Sequence, residues 1–160
     1  MFSLFKKKEQ GVIPAPVTGK LKELSKVKDP VFSTGTMGCG FAIIPENGEI
    51  CSPVKGKVSM VFPGGHALGI TASDGTEILI HIGIDTVKLK GNGFEVFTSD
   101  GAVVKKGDLL VKADFKAISS KGCETDVIVV LTSGEKCAID SKLYGKKVIK
   151  SETVIMEYKK

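Results

Sequence analysis

Only two histidines occur in the chain, His66 and His81, so any histidine-based chemistry must use one or both. His81 lies within Ile78-Leu79-Ile80-His81-Ile82, and His66 follows the tight Pro63-Gly64-Gly65 sequence at the entrance to a second apolar run. Side chains alternate along a strand, so Ile80 and Ile82 facing a core would put His81 on the opposite face. Gly83-Ile84-Asp85 follows at once, removing one side chain beside the ring and adding a carboxylate. The two runs are joined by Ala72-Ser73-Asp74-Gly75-Thr76, short enough for an antiparallel hairpin. A turn centred near Ser73-Asp74 predicts His66 directly opposite His81, with Cβ atoms about 4.5–5.5 Å apart.

Two facing imidazoles can bind a metal, or one can accept a phosphoryl group while the other hydrogen-bonds it. A catalytic metal normally wants three protein ligands and an open position. There is no third histidine, Gly83 stands where a His-x-His pair would need its second ligand, and Cys39, Cys51, Cys123 and Cys137 form no Cys-x-x-Cys pair. No metal and no cofactor is expected. Phosphoryl carriage needs less: a nucleophilic ring nitrogen, a partner that fixes the tautomer, and a donor to the phosphate. It therefore fits better. Neither a Gly-x-Ser-x-Gly elbow nor a Walker loop is present.

The elements that must hold these residues read as short strands. Apolar or alternating runs at 40–44, 57–62, 67–71, 77–82, 108–113, 125–131 and 153–157 are separated by turn signals such as Asp74-Gly75, Gly91-Asn92-Gly93 and Asp100-Gly101. This spacing predicts an all-β, antiparallel sandwich or barrel, with helix confined to short pieces, foremost around 114–121. Pro16-Val17-Thr18-Gly19-Lys20-Leu21 echoes Pro53-Val54-Lys55-Gly56-Lys57-Val58, which suggests two similar β-units packed together. Residues 1–11 read as a flexible arm and 12–160 as one domain.

At 160 residues with 42% apolar and 26% charged side chains, the chain has the composition of a globular protein. The net charge of +5 comes entirely from lysine, which argues against nucleic acid, where bidentate contacts favour arginine. No apolar run reaches the ~20 residues of a membrane span. Met1-Phe2-Ser3-Leu4-Phe5-Lys6-Lys7-Lys8 places its charges after its apolar residues, the reverse of a secretory signal, and could make a weak membrane contact. A cytoplasmic location and reduced thiols are the expectations.

The run from Glu77 to Phe94, centred on Ile80-His81-Ile82-Gly83-Ile84-Asp85-Thr86-Val87, resembles the phosphorylation-site signature of glucose-type IIA proteins of the sugar phosphotransferase system. Agreement extends to Ala15-Pro16 with Gly19, Asp29 with Val31-Phe32, Gly38-Cys39-Gly40-Phe41-Ala42-Ile43, Pro53-Val54 with Gly56, and Phe62-Pro63 with His66-Ala67. The resemblance implies a β-sandwich of the duplicated hybrid type with a shallow depression. It further implies that Nε2 of His81 accepts the phosphoryl group, that the Gly83 carbonyl holds its Nδ1 proton, and that His66 hydrogen-bonds the phosphate. Phe32, Phe62, Leu79, Ile82 and Val87 would form an apolar docking rim, with Asp29 and Asp85 near it. The donor would be the phosphocarrier HPr and the acceptor a cysteine of a permease IIB domain, and regulation of other protein partners could coexist with this transfer. Family members often carry a hydroxyl residue two positions before the first histidine; here that position is Gly64.

Overall fold

The computed structural model describes residues 10–160. Its strands are β1 (Gln10–Pro14), β2 (Gly19–Glu23), β3 (Cys39–Pro45), β4 (Glu49–Cys51), β5 (Gly56–Val61), β6 (Ala67–Ala72), β7 (Glu77–Ile82), β8 (Phe94–Val96), β9 (Val103–Val104), β10 (Leu109–Ala113), β11 (Val127–Leu131), β12 (Lys136–Ile139), β13 (Lys147–Val148) and β14 (Val154–Lys159). Two short helices, α1 (Pro30–Ser33) and α2 (Phe115–Ser120), complete the regular structure together with a few 3-10 turns. Among the described residues, no helix is long and apolar enough to cross a membrane.

The strands form one eight-stranded sheet, ordered β13-β2-β3-β11-β7-β6-β5-β9, and two three-stranded sheets, β1-β14-β12 and β4-β10-β8. Every paired strand runs antiparallel, and the sheets do not close into a barrel. The order is the same read from either end of the large sheet. β13-β2-β3-β11 on one side matches β9-β5-β6-β7 on the other, and β1-β14-β12 matches β4-β10-β8. The echoed Pro-Val-x-Gly-Lys turns lead into β2 and β5, the corresponding strands of the two halves. The halves meet at the β7–β11 seam, where His81 pairs with Ile128.

Alternation decides what each face of the large sheet holds. Leu21, Phe41, Ile43, Val58, Leu68, Ile70, Ile78, Ile80, Ile82, Val127 and Val129 point to one side and pack against the small sheets through residues such as Ile13, Ile50, Leu110, Ile155 and Met156. Ala42, Ala67, Leu79, Ile128 and Val130 point to the other side, where Val27, Phe32 and Ile84 cover them. The histidines lie on this second, thinly covered face.

Three expectations change here. Strand β1 begins at Gln10, so Gln10 and Gly11 pair with Lys159 and Tyr158, while the rest of the expected arm and its membrane contact lie outside the described residues. Cys39 on β3 and Cys137 on β12 are joined in a disulfide, with Cα atoms 6.3 Å apart; Cys51 and Cys123 are free and buried. A partner 98 residues away leaves no spacing signature for sequence reading to find. The hairpin register is shifted by one, so Ala67 stands opposite His81. The Ala72 N–H donates to the Thr76 carbonyl, leaving Ser73-Asp74-Gly75 as a three-residue loop with Gly75 at φ 89°, where a two-residue turn would have given the other register.

Candidate functional site

His66 lies just outside the β6 ladder, and the turn before it brings its ring to the site. Gly64 and Gly65 both take positive φ, 94° and 86°, and a Cβ on Gly65 would fall 2.4 Å from Val96 Cγ2. Glycine is therefore required here on both conformational and steric grounds. The turn is closed by the Gly65 N–H donating to the Phe62 carbonyl at 2.9 Å. The His66 ring then stands edge-on to His81, with centroids 5.4 Å apart and planes at 76°. The predicted juxtaposition of the rings is present, although the strand register that was to produce it is not.

Helix α1 supplies the cover. Asp29 caps it by accepting the Val31 N–H at 3.0 Å, and Pro30 occupies the first helical position. One turn on, Phe32 is driven down beside His81 with ring centroids 5.1 Å apart, leaving Val31 outermost. Phe62 packs edge-to-face on His66 at 5.9 Å from the opposite wall. Val87 is well exposed, and Leu79 lies buried in the small cluster that includes Phe32 and Ala67.

Ile82, expected in the rim, lies on the other face of the sheet. It is fully buried and belongs to the main core on the far side of the sheet, as its position next to His81 in a strand requires. Val31, exposed beside Phe32, is a residue to which sequence reading gave no role. The Asp29-Pro30 pair, a cap followed by a first-turn proline, was the signal that could have placed it.

Behind His81 the chain turns sharply at Gly83, with φ 76°. The Gly83 carbonyl lies 2.7 Å from His81 Nδ1. A carbonyl can only accept, so Nδ1 carries the proton and Nε2 keeps its lone pair. Burial is the main influence on both rings and holds each below the ordinary imidazole value. For His81 the Gly83 carbonyl, Asp29 and Asp85 act in the opposite sense, and His66 adds to the lowering. For His66 the opposing group is the Pro63 carbonyl, which attends the ring where a hydroxyl side chain at position 64 is absent. Asp85 is exposed, in the left-handed region at φ 59°.

The site thus presents a neutral imidazole with one nitrogen free, a second imidazole beside it, an apolar rim, and two carboxylates. That combination suits a nucleophile that acts when another macromolecule covers it. Among the described residues no group of three or more His, Cys, Asp or Glu side chains could hold a metal ion.

Comparison with known proteins agrees in one direction. Residues 11–137 match the family model described as phosphoenolpyruvate-dependent sugar phosphotransferase system, EIIA 1. The glucose-specific EIIA component of Bacillus cereus is 40% identical over 157 residues, covering 98% of this chain and 95% of that protein. The beta-glucoside-specific EIIBCA component of Bacillus subtilis is 48% identical over 125 residues, 78% of this chain but 20% of that longer protein. The glucose permease IIA of Mycoplasma capricolum superposes with a TM-score of 0.85 at 34% identity, over 96% of this chain and 99% of that one.

Proposed function

From the premise that the chain belongs to the EIIA 1 family of the phosphoenolpyruvate-dependent sugar phosphotransferase system, we propose that it relays a phosphoryl group through Nε2 of His81. The donor is the phosphohistidine of HPr and the acceptor a cysteine thiolate of a permease IIB domain, at the cytoplasmic side of the membrane. The Bacillus subtilis relative, whose name joins B, C and A parts in one chain, supports a IIB partner.

In the first step the Nε2 lone pair attacks phosphorus, a new N–P bond forms, and the donor's P–N bond breaks with its electron pair returning to the donor ring. The proton stays on Nδ1 throughout, donated to the Gly83 carbonyl, so the phosphorylated ring is a cation whose charge that carbonyl helps to stabilise. His66 donates to a phosphoryl oxygen. In the second step the thiolate attacks and His81 leaves as a neutral ring. Phe62, Val31 and Val87 meet the partner's surface and, with buried Phe32 beside His81, keep water from the labile bond, while Asp29 and Asp85 draw a basic partner.

The observation that carries this reading is the His81 Nδ1 bond to the Gly83 carbonyl, which commits one nitrogen and leaves the other uncommitted in a ring 5.4 Å from that of His66. Incubation with phosphoenolpyruvate, enzyme I and HPr, followed by intact mass, tests it. Wild type should gain about 80 Da, one phosphoryl group, in an acid-labile form. The gain should vanish in His81→Ala and persist in His66→Ala, which should instead slow transfer to IIB. Absence of any gain in wild type with an active donor would refute the relay.

A further inference from the structure

Each backbone polar group from the Ile82 N–H to the Ile84 N–H has an identified partner. The Ile82 N–H donates to the His66 carbonyl at 2.7 Å, the Gly83 N–H to the Asp126 carbonyl at 2.9 Å, and the Ile84 N–H to the Glu124 carbonyl at 3.0 Å. The Gly83 carbonyl accepts from His81 Nδ1 at 2.7 Å. The remaining group, the Ile82 carbonyl, accepts from the hydroxyl of Thr86 at 2.6 Å. Apart from the His81 ring itself, Thr86 is the one side chain in this set, and it is 1% exposed.

The Ile82 carbonyl and the Gly83 N–H are the two ends of a single peptide plane. Held at one end by Thr86 and at the other by Asp126, that plane cannot rotate. The φ of 76° at Gly83 then turns the next carbonyl back onto the imidazole. The Thr86 methyl closes the same corner, since a Cβ on Gly83 would fall 2.5 Å from Thr86 Cγ2. We propose that Thr86 is a positioning residue for the relay, its hydroxyl fixing the Ile82–Gly83 peptide so that the Gly83 carbonyl selects the Nδ1–H form of His81 and leaves Nε2 nucleophilic. Its consequence for rate rests on the phosphocarrier reading; its consequence for the ring does not.

A buried threonine that merely satisfied a carbonyl would affect stability and leave the imidazole alone. The tautomer of His81 separates the two roles. Long-range nitrogen–proton correlation spectra of the unphosphorylated full chain at pH 8 should show a predominantly Nδ1–H ring in wild type. Thr86→Val removes the hydroxyl and keeps the shape; it should give a mixture with the Nε2–H form and slow acceptance from phospho-HPr about tenfold or more, with the half-saturating HPr concentration little changed. Thr86→Ser restores the hydroxyl and should restore both properties. Should Thr86→Val not fold, Thr86→Ala, which adds no bulk, carries the same comparison against Thr86→Ser. A folded Thr86→Val or Thr86→Ala with wild-type tautomer and rate overturns the proposal, as does a folded Thr86→Ser that loses them. If wild type accepts no phosphoryl group, the relay reading falls, and the ring spectra still decide the role of Thr86.

Discussion

On one face of the eight-stranded sheet, Ile78, Ile80 and Ile82 of β7 meet a second layer of strands and are buried. On the other face the same strand offers Leu79 and His81 to a cover made of one four-residue helix and its neighbouring loops. The first arrangement gives stability through filled volume. The second leaves the His81 ring only partly covered while withdrawing enough water to lower its pKa. A single run of six residues serves both ends because alternation sends odd and even positions to different environments.

That contrast can be broken most strongly from the deep side. Ile80→Ala should cost about 2–5 kcal/mol in denaturant unfolding, because the cavity it leaves is closed on all sides. Its folded fraction should still accept phosphate from HPr, and loss of acceptance in folded protein would show that the two faces are not separable. Phe32→Ala opens a gap that solvent can enter, so the unfolding cost should be nearer 1–3 kcal/mol, while half-saturation by HPr should need markedly more donor. Val87→Ala, at an exposed position, should change stability by less than about 0.5 kcal/mol and weaken donor binding alone.

The smallest effect is one of pH. Burial lowers both imidazole pKa values, so the unfolded chain takes up protons at these rings more readily than the folded one. Stability should therefore fall as pH drops through the unfolded value of about 6.5 and level off below the folded values. Urea midpoints between pH 8 and 5 should show a shallower fall in a His66→Ala/His81→Ala double variant. An identical slope would mean the rings are not desolvated in solution.

The long strands β3, β5, β6, β7, β10, β11 and β14 were legible because each combines apolar density with bounding turns. Strands β8, β9 and β13 were not: two or three residues carry no period, and they exist because a neighbour offers a free edge. Helix α1, at four residues, is likewise too short for periodicity, though its cap was written in Asp29-Pro30. Both histidines were found through scarcity, yet the route to their contact was misjudged by one residue, because the choice between a two- and a three-residue loop turns on the φ of Gly75. Ile82 was assigned to the rim by the family resemblance, while its position next to His81 in a strand sends it to the other side. Thr86 was missed because a threonine bonded to a backbone carbonyl four positions earlier leaves no mark in composition or spacing.

The matched order of strands about the β7–β11 seam has a consequence for motion. The strand bearing His81 has a hydrogen-bonded neighbour on both sides, and the sheet's weakest pairings, at two-residue β9 and β13, lie at its two margins. Opening of the margins can proceed while the seam stays shut, so amides of β7 and β11 should exchange with solvent only when the whole domain unfolds. The strand that carries His81 should therefore be among the slowest-exchanging segments of the described residues.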